Sequence, residues 1–385
     1  MRAVESPPDP LFLELALALA RRARPSPNPP VGAVVVRDGR IVGRGFHPGA
    51  GRPHAEVLAL GEAGARARGA DLYVTLEPCN HHGRTPPCTA TIREAGVGRV
   101  FYGVDDPNPR VPGGGARWLR RRGVPAICLR SVAAAELIAP FEKFVRTGLP
   151  FVTVKIGASL DGRIAARTGR SRWITGPAAR EAVQRMRAAH DAILVGLGTI
   201  RLDDPLLTVR LPQAGFVSAP PVRVVLAGGR RALPSRARVL HAPRGAGGTP
   251  ETWVVGPVTR TALHLDDPDH LRRIGLPAGR DGFVPERRVL AELGRRGITS
   301  VLVEGGGRVF TRFLAAGLAD RVALFLAPKL LGGPAARGFF LGPGVPEPGL
   351  ATGLELLRVE RYGDDVLWLG RPRPADRASG PRSPR

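Results

Sequence analysis

Cysteine is scarce in this chain, which has only Cys79, Cys88 and Cys128. A framework of several disulfides, as in small secreted domains, is therefore excluded. Long apolar runs are missing too, because the stretch 11–20 contains Glu14 and is too short to span a bilayer. The N-terminus lacks a basic segment followed by an apolar segment and a cleavage site, so the sequence predicts a cytoplasmic protein.

Lysine is almost absent, although the formal net charge is +24. Nearly all basic residues are scattered arginines, and the lysines are Lys143, Lys155 and Lys329. A genome rich in G and C explains the excess of Arg together with 50 Gly and 39 Pro. Aromatic residues make up only 5% of the chain, too few for platforms on which bases stack. We therefore expect no dedicated nucleic-acid surface.

A histidine and a glutamate stand at the start of a predicted helix. Pro53 is tolerated at the first helical position, and the stretch 57–67 is rich in Ala and Leu without proline. His54 and Glu56 would therefore lie close together on the first helical turn.

Two cysteines follow at the ends of predicted elements. Cys79 comes after an apolar run, 72–76, that predicts a strand. Thr85 and Pro86 indicate the cap and the start of the next helix, which places Cys88 in its first turn. A helix N-terminus favours the thiolate, which is the form of cysteine that binds metals.

Together these residues predict a catalytic zinc site. His54, Cys79 and Cys88 supply three ligands, and a catalytic zinc keeps its fourth position for water. Glu56 is not needed as a ligand, so it can take a proton from the attacking water and pass it on. This order of residues is the pattern of zinc nucleobase deaminases, with a longer spacer between the cysteines than is common.

The competing interpretation is that Cys79 and Cys88 are ordinary buried thiols and that His54 merely starts a helix. The three residues occur in the order of the deaminase motif, and each lies at the predicted helix start or strand end where that motif places it, which argues against this interpretation. Cys128 fits this simpler interpretation, because it lies in a probable strand and is expected to be a core residue.

Two residues near the motif have two open interpretations each. Asn28 precedes a predicted hairpin of strands 31–37 and 40–45, where its amide would face a polar ligand or only cap a turn. His81 lies in the loop between the cysteines, where it would reach the substrate or stay solvated.

Alternating strands and helices predict layered α/β domains. A bridge at 140–150 separates two blocks, and we place the boundary near Thr147. The predicted parts are a first domain at 1–147, a second at 148–370 and a disordered tail at 371–385. In the second block, we predict strands at 151–156, 191–196, 222–226, 252–255, 300–303 and 321–326, and helices at 177–189, 286–296 and 307–316.

Three glycine-containing turns at strand ends mark a candidate ligand site in the second block. They are residues 155–162, residues 196–199 with 203–205 following, and residues 303–307. Glycines at a helix start let backbone N–H groups approach a phosphate closely. Each turn alone is a weak signal, but three in one α/β domain favour a nucleotide or phosphate ligand.

The chain resembles the bacterial bifunctional deaminase–reductase family of riboflavin biosynthesis. Residues 54–56 and 75–88 carry the deaminase motif with that family's longer spacer, and 106–109 and 146–150 also match. The similarity continues at 155–162, 173–175, 203–210, 303–306 and 327–333, and it extends from about residue 11 to about residue 370.

The resemblance implies a cytidine-deaminase-like domain of three layers followed by a dihydrofolate-reductase-like domain. The first would remove the ring amino group of 2,5-diamino-6-(5-phosphoribosylamino)pyrimidin-4-one with zinc. The second would reduce the ribosyl chain to ribityl with NADPH. Small-molecule chemistry and a homo-oligomer are expected, without a membrane or nucleic-acid partner.

The resemblance also implies roles for residues of the second block. Lys155 would assist at the ribose C1, and Asp203 would act beside it. The cofactor would be lined by Gly157, Trp173, Thr199, Asp203, Gly228, Gly306 and Gly307. The phosphorylated substrate would be held by Ser171, Arg187, Asp203, Leu207, Arg210 and Glu304. Guanidinium groups suit a phosphate, in agreement with the assignment of the two arginines.

The chain departs from the family pattern after the predicted strand 222–226. An Asp is usual there, and this chain has Ala227, Gly228 and Gly229 instead.

Two alternative functions stay open beside the deaminase–reductase. The first is a cytidine or tRNA-adenosine deaminase fused to an unrelated nucleotide-binding domain, and the second is a basic nucleic-acid-binding protein with a vestigial site.

Overall fold

The computed structural model describes residues 7–81, 86–109, 114–211, 219–228, 233–241, 249–258 and 270–373. The chain divides into two compact units, one built mainly from residues up to Pro150 and the other mainly from Phe151 onward. No helix of the described segments is long and apolar enough to cross a membrane. The predicted cap Thr85, the turn residue Gly229 and the tail from residue 374 lie outside the described residues.

The first unit is a five-stranded sheet covered by helices. Its elements are α1 (Pro10–Ala20), β1 (Gly32–Arg37), β2 (Arg40–Phe46), α2 (Ala55–Ala63), β3 (Asp71–Leu76), α3 (Cys88–Glu94), β4 (Arg99–Val104), α4 (Gly115–Arg120), β5 (Ala126–Cys128) and α5 (Val132–Thr147). The strand order is β2-β1-β3-β4-β5. The strands β3, β4 and β5 are parallel, and β1 is antiparallel to both of its neighbours.

Apolar side chains cover both faces of this sheet. On one face, Val35 and Val74 belong to a core with residues of α2, α3 and α4, such as Ile92. On the other face, Val34 and Tyr73 pack in a core with residues of α1 and α5. Successive strand residues point to opposite faces, so the run of apolar residues in β1 and β3 requires helices on both sides. The predicted three-layer domain is thereby confirmed.

Two local predictions in this unit need correction. The helix predicted through residue 67 ends as an α-helix at Ala63, because Gly64 has φ +55°, and continues as a 3-10 turn. The bridge predicted at 140–150 is largely helical, since α5 runs through Pro140 to Thr147 and ends at Gly148 in the left-handed conformation. Both motif helices also begin later than predicted, because α2 starts at Ala55 with His54 as its N-cap residue and α3 starts at Cys88 with Pro87 as its N-cap residue. Pro53 and Pro86 therefore precede the helices instead of opening them, but Cys88 lies in the first turn of α3 as predicted.

The second unit is built on a nine-stranded sheet. Its elements are β6 (Phe151–Ser159), β7 (Arg163–Ala165), α6 (Pro177–Ala188), β8 (Ala192–Gly196), α7 (Leu197–Asp203), β9 (Val222–Leu226), β10 (Thr252–Pro257), β11 (Leu271–Leu276), α8 (Glu286–Arg295), β12 (Ser300–Val303), α9 (Gly307–Ala315), β13 (Arg321–Ala327), β14 (Arg337–Gly338), β15 (Leu354–Tyr362) and β16 (Asp365–Pro372). The order is β11-β10-β9-β8-β12-β6-β13-β16-β15, and β7 pairs with β14 separately.

Neighbouring strands from β11 to β13 are parallel, and only β16 and β15 run antiparallel to their neighbours. The central strands β8 and β12 are buried along their whole length, which accounts for their continuous apolar sequences. The carboxyl ends of β8, β12 and β6 therefore meet at one edge of the sheet. That edge is the usual ligand-binding position in open parallel sheets.

The six predicted strands and three predicted helices of this unit are present. Sequence analysis missed the helix α7, the strand β11 and the hairpin of β15 and β16. Gly196 and Gly198, interpreted as part of a turn, cap and begin α7. The last strand continues to Pro372, within the segment predicted as a tail.

Candidate active sites

The three predicted metal ligands come together in the first unit. The donor atoms of His54, Cys79 and Cys88 all lie within 4.8 Å of one another. His54 Nδ1 is 3.1 Å from Cys88 Sγ and 3.5 Å from Cys79 Sγ. One imidazole nitrogen and two sulfurs at this spacing are a donor set that fits zinc with one position left open.

Secondary structure brings these ligands together. His54 is the extended N-cap residue of α2, and Cys88 opens α3. Cys79 follows β3, and its sulfur accepts a 3.3 Å hydrogen bond from the backbone N–H of Cys88. The cluster therefore sits where two helix N-termini meet the end of a parallel strand.

The thiols of Cys79 and Cys88 shift each other's pKa in opposite directions. The hydrogen bond from the Cys88 side chain and the nearby His54 hold the pKa of Cys79 well below its usual range. The same hydrogen bond and burial raise the pKa of Cys88. A cation held between them favours the thiolate form of both groups.

Glu56 lies beside the cluster and is only 4% exposed. Burial, together with the negative charge of Cys79, raises its pKa to about 6. A carboxyl group with a pKa close to neutrality can both accept and return a proton at physiological pH.

A pocket adjoins this cluster. Asn28 and His81, for which the sequence left two interpretations open, both line it. Its polar lining includes Asn28, His47, His54, Glu56, Glu77, His81, Asp106 and Asn108. His47 is 4% exposed, and burial lowers its pKa. Sequence analysis gave His47 no role, and it noted Asp106 and Asn108 only as part of the family match at 106–109. The position of Asp106 and Asn108 in the loop after β4 is the signal that could have identified them.

Glu77 is a further residue whose role sequence analysis missed. Its carboxylate accepts hydrogen bonds from the backbone N–H groups of Asp106 (3.4 Å), Gly114 (3.2 Å) and Ala116 (3.0 Å). The end of β3 is thereby tied to the loop after β4 and to the start of α4. Glu77 thus fixes the wall of the pocket that carries Asp106.

A second constellation forms at the carboxyl edge of the large sheet. The carboxylate of Glu304, after β12, lies 3.2 Å from Lys155 Nζ and 2.5 Å from Arg187 Nε. Burial alone would raise the pKa of Glu304, but Arg187 and Lys155 hold it at about 2. Arg210 is close by, and burial with the charge of Arg187 lowers its pKa. These residues provide cations suited to a phosphorylated ligand.

The other predicted residues form two smaller contacts beside this edge. The Ser171 hydroxyl donates a 2.5 Å hydrogen bond to Asp203 at the end of α7. The backbone N–H of Gly306 donates a 3.1 Å hydrogen bond to Thr199 Oγ1, which joins α7 to the glycine turn before α9. Trp173 is 62% exposed, as an aromatic residue reaching for a ligand would be.

Gly157, Gly307 and Leu207 differ in their surroundings. An added Cβ at Gly157 would make an ordinary van der Waals contact, 3.6 Å from Thr175 Cγ2. Gly307 opens α9, and an added Cβ would lie only 3.0 Å from Gly338 O. Leu207 is buried with φ +53°.

Gly228, which follows β9, lies directly against the ring of Phe283. A Cβ at Gly228 would lie 2.2 Å from Phe283 Cδ1. The Arg312 guanidinium lies 5.1 Å from the centre of the Phe283 ring, and Asp281 binds that guanidinium at 2.7 Å. The ring is thus held in the space that a larger side chain at 228 would need.

Comparisons with known proteins agree with both constellations. The family of the cytidine and deoxycytidylate deaminase zinc-binding region matches residues 7–104, and the RibD C-terminal domain matches residues 150–368. The riboflavin biosynthesis protein RibD of Bacillus amyloliquefaciens is 42% identical over 94% of this chain and 96% of its own. RibD of Escherichia coli is 40% identical over 93% of this chain and 98% of its own.

Solved structures are similar along almost the whole chain as well. Acinetobacter baumannii RibD has a TM-score of 0.80 with 36% identity, covering 94% of this chain and 98% of its own. A diaminohydroxyphosphoribosylaminopyrimidine deaminase/5-amino-6-(5-phosphoribosylamino)uracil reductase from Thermotoga maritima has a TM-score of 0.79 at the same identity and coverage.

Fold and sites therefore define a zinc deaminase joined to a reductase, and the predicted fold class is confirmed. The chain belongs to the RibD family of bifunctional deaminase–reductases of riboflavin biosynthesis, as the resemblance implies. Zinc and NADPH are its cofactors. The alternative of an unrelated second domain is wrong, because the RibD C-terminal domain matches that half.

Proposed function

We propose that the deaminase step takes place at the His54, Cys79 and Cys88 cluster with Glu56 as the proton carrier. The substrate is 2,5-diamino-6-(5-phosphoribosylamino)pyrimidin-4-one, and ammonia is the second product. The observation that carries this proposal is a three-donor cluster beside a carboxyl group that is 4% exposed. Zinc, when bound to the three ligands, acts as a Lewis acid and makes the attacking water more acidic.

Glu56 moves the protons that the deamination requires. The water oxygen forms a bond to the amino-bearing ring carbon while Glu56 accepts the proton that water loses. Glu56 then returns a proton to the amino nitrogen, the carbon–nitrogen bond breaks and ammonia leaves. The buried position of Glu56 beside the three ligands suits both transfers, because the same carboxyl group is near the attacking water and the leaving amino group.

We propose that the reductase step takes place where Lys155, Arg187 and Glu304 meet. NADPH, when bound, supplies the hydride that goes to the ribose C1. Arg187 and Arg210 attract the substrate phosphate, and Glu304 holds Lys155 in place through their 3.2 Å contact. The ammonium group of Lys155 assists at C1, where the bond to the ribose ring oxygen breaks and that oxygen takes up a proton.

Other residues near this site are proposed to act beside Lys155 or to line the cofactor. Asp203, tied to Ser171, is proposed to act beside Lys155 and to contact the cofactor. The proposed cofactor-lining set is completed by Gly157, Trp173, Thr199, Gly228, Gly306 and Gly307. Trp173 precedes α6, and the glycines and Thr199 lie near the carboxyl ends of β6, β8, β9 and β12, which fits a dinucleotide laid along that edge.

We further propose a homo-oligomer in the cytoplasm. The strand β15 is an edge strand with Leu356 and Val359 exposed at 53% and 56%, which is a surface that a second copy could cover. Light scattering after gel filtration tests this, and a monomer at micromolar concentration would contradict it. Fractionation of host cells tests the location.

The order of the two steps provides the test of the whole function. Substrate is given to the enzyme without NADPH, and ammonia is measured; NADPH is then added and its oxidation is followed. Ammonia first and oxidation second are expected. If a zinc-loaded enzyme gives neither signal, the substrate assignment is wrong.

A further inference from the structure

His47 connects the backbone before the metal ligand His54 to the side chain of Asn28. Its Nδ1 lies 3.1 Å from the carbonyl oxygen of Pro53, and its Nε2 lies 3.0 Å from Asn28 Nδ2. The ring is almost completely buried and lies at the wall of the pocket. It is not part of the metal-binding cluster found among the described residues.

The partners of His47 determine which of its nitrogens carries the proton. A carbonyl oxygen can only accept a hydrogen bond, so Nδ1 must be the protonated nitrogen that donates to Pro53. The structure places the amide nitrogen of Asn28 against Nε2, and an N–H group can only donate, so Nε2 is the accepting nitrogen. In the neutral tautomer with a proton on Nδ1, Nε2 is an acceptor.

The tautomer of His47 in turn determines the orientation of the Asn28 amide. An acceptor at Nε2 requires the amide nitrogen of Asn28 as its partner, because the opposite orientation would bring two acceptors together. The amide oxygen is then the atom left for another partner. No protein group in the described segments donates to that oxygen, and Asn28 lines the pocket beside Glu56.

We infer that His47 is a positioning residue for the deaminase step, and the inference rests on the proposed function of this pocket. Its fixed tautomer orients Asn28 so that Oδ1 is presented to the substrate. The amide oxygen then accepts a hydrogen bond from an N–H or O–H group of the pyrimidine nucleotide. A ligand that offered only acceptors at that position would be rejected, because two acceptors would face each other.

Two substitutions of His47 separate this role from a merely structural one. In His47→Asn the new amide nitrogen can replace Nδ1 and keep the bond to Pro53, but it does not reach Asn28. In His47→Gln the terminal amide oxygen can replace Nε2 as the acceptor for Asn28, while the bond to Pro53 is lost. The exposed His241, whose Nε2 bonds only a backbone carbonyl of the second unit, provides the matched control in His241→Asn.

We expect His47→Asn to lower kcat/KM for ammonia release about tenfold, mainly through KM, with zinc content unchanged. His47→Gln should recover much of that loss, and His241→Asn should equal the parent enzyme. In an Asn28→Ala background, His47→Asn should have no further effect, because His47 acts through Asn28. An active His47→Asn together with an impaired His47→Gln would overturn the inference in favour of a role in holding Pro53.

Histidine 15N NMR of the zinc-loaded enzyme tests the tautomer without any turnover. The signal that disappears in His47→Asn should show a protonated Nδ1 and an unprotonated Nε2. A protonated Nε2 would overturn the inference even in a fully active enzyme. If the parent enzyme releases no ammonia but His47 has the expected tautomer, the proposed function has failed and the orientation of Asn28 stands.

Discussion

Lys155 and Glu304 form a buried ion pair at the carboxyl edge of the large sheet, with Nζ 3.2 Å from Oε2. Arg187 shares the same carboxylate, so one buried acid holds two cations where parallel strands end. Buried charges are maintained only when they are paired, and the pairing fixes the geometry of the groups involved. The first two predictions concern this relationship.

Lys155→Ala should slow NADPH oxidation about a hundredfold or more and leave ammonia release unchanged. The ammonium group assists at the reacting carbon of the reductase step only, and the deaminase pocket is lined by residues of the first unit. Separate assays of the two steps check this. Lys143→Ala is the matched control, because that lysine lies on α5. Unchanged oxidation in Lys155→Ala would mean that the reductase site is misplaced.

Glu304 should make the second unit sensitive to acid. Its pKa is lowered from 4.5 to about 2 by Arg187 and Lys155, so the folded state favours the charged form. The resulting stabilisation is fully present above pH 4.5 and is lost as the pH falls towards 2, with a total of about 3 kcal/mol. Thermal unfolding between pH 7 and pH 3 measures this.

The control for this prediction is Glu304→Gln. At pH 7 the variant should melt at a lower temperature than the parent, because Lys155 and Arg187 keep their charges without the carboxylate. The difference should shrink on acidification. A constant difference from pH 7 to pH 3 would contradict the pairing.

Metal binding should depend on two of the three cysteines. Cys79→Ser and Cys88→Ser each remove one ligand and should lower the zinc content and the rate of ammonia release together. Cys128→Ser should do neither, because Cys128 is outside the metal-binding cluster of the described residues and its thiol donates to the Gly103 carbonyl oxygen, at 3.8 Å. Metal analysis of the purified proteins measures the zinc content of each variant. A zinc-free Cys128→Ser protein would contradict the ligand set.

An aspartate in place of Gly228, after β9, should destabilise this chain. Gly228→Asp places a Cβ 2.2 Å from Phe283 Cδ1, and overpacking of this kind lowers the melting temperature by about 4 °C. Adding Phe283→Ala should relieve part of that loss. If Gly228→Asp melts as the parent does, the ring moves away easily and the glycine needs another explanation.

The zinc site could be predicted because its signals are local. His54, Cys79 and Cys88 each stand at a helix start or strand end that helix and strand propensity indicates to within a few residues, and the order of the motif residues identifies them as ligands. The central strands of the second unit were equally visible, since strands such as β8 and β12 are buried on both faces and consist of uninterrupted apolar runs.

The features that the sequence did not predict depend on partners distant in sequence or on weak sequence patterns. Nothing near Glu77 indicates that it accepts three backbone hydrogen bonds from residues about thirty to forty positions later. His47 acquires its role only when the hairpin brings it to Asn28. The edge strand β15 mixes charged and apolar residues without alternation, because most of it is exposed, so no period marked it as a strand.

The role of Glu56 as proton carrier is tested most directly by measuring ammonia release by Glu56→Gln, with zinc content determined on the same sample. The amide keeps the size of the side chain but cannot carry a proton, so zinc should be retained and ammonia release should fall about a thousandfold. Glu62→Gln, on the same helix, should behave as the parent enzyme does. Normal ammonia release from zinc-loaded Glu56→Gln would contradict the central role of Glu56.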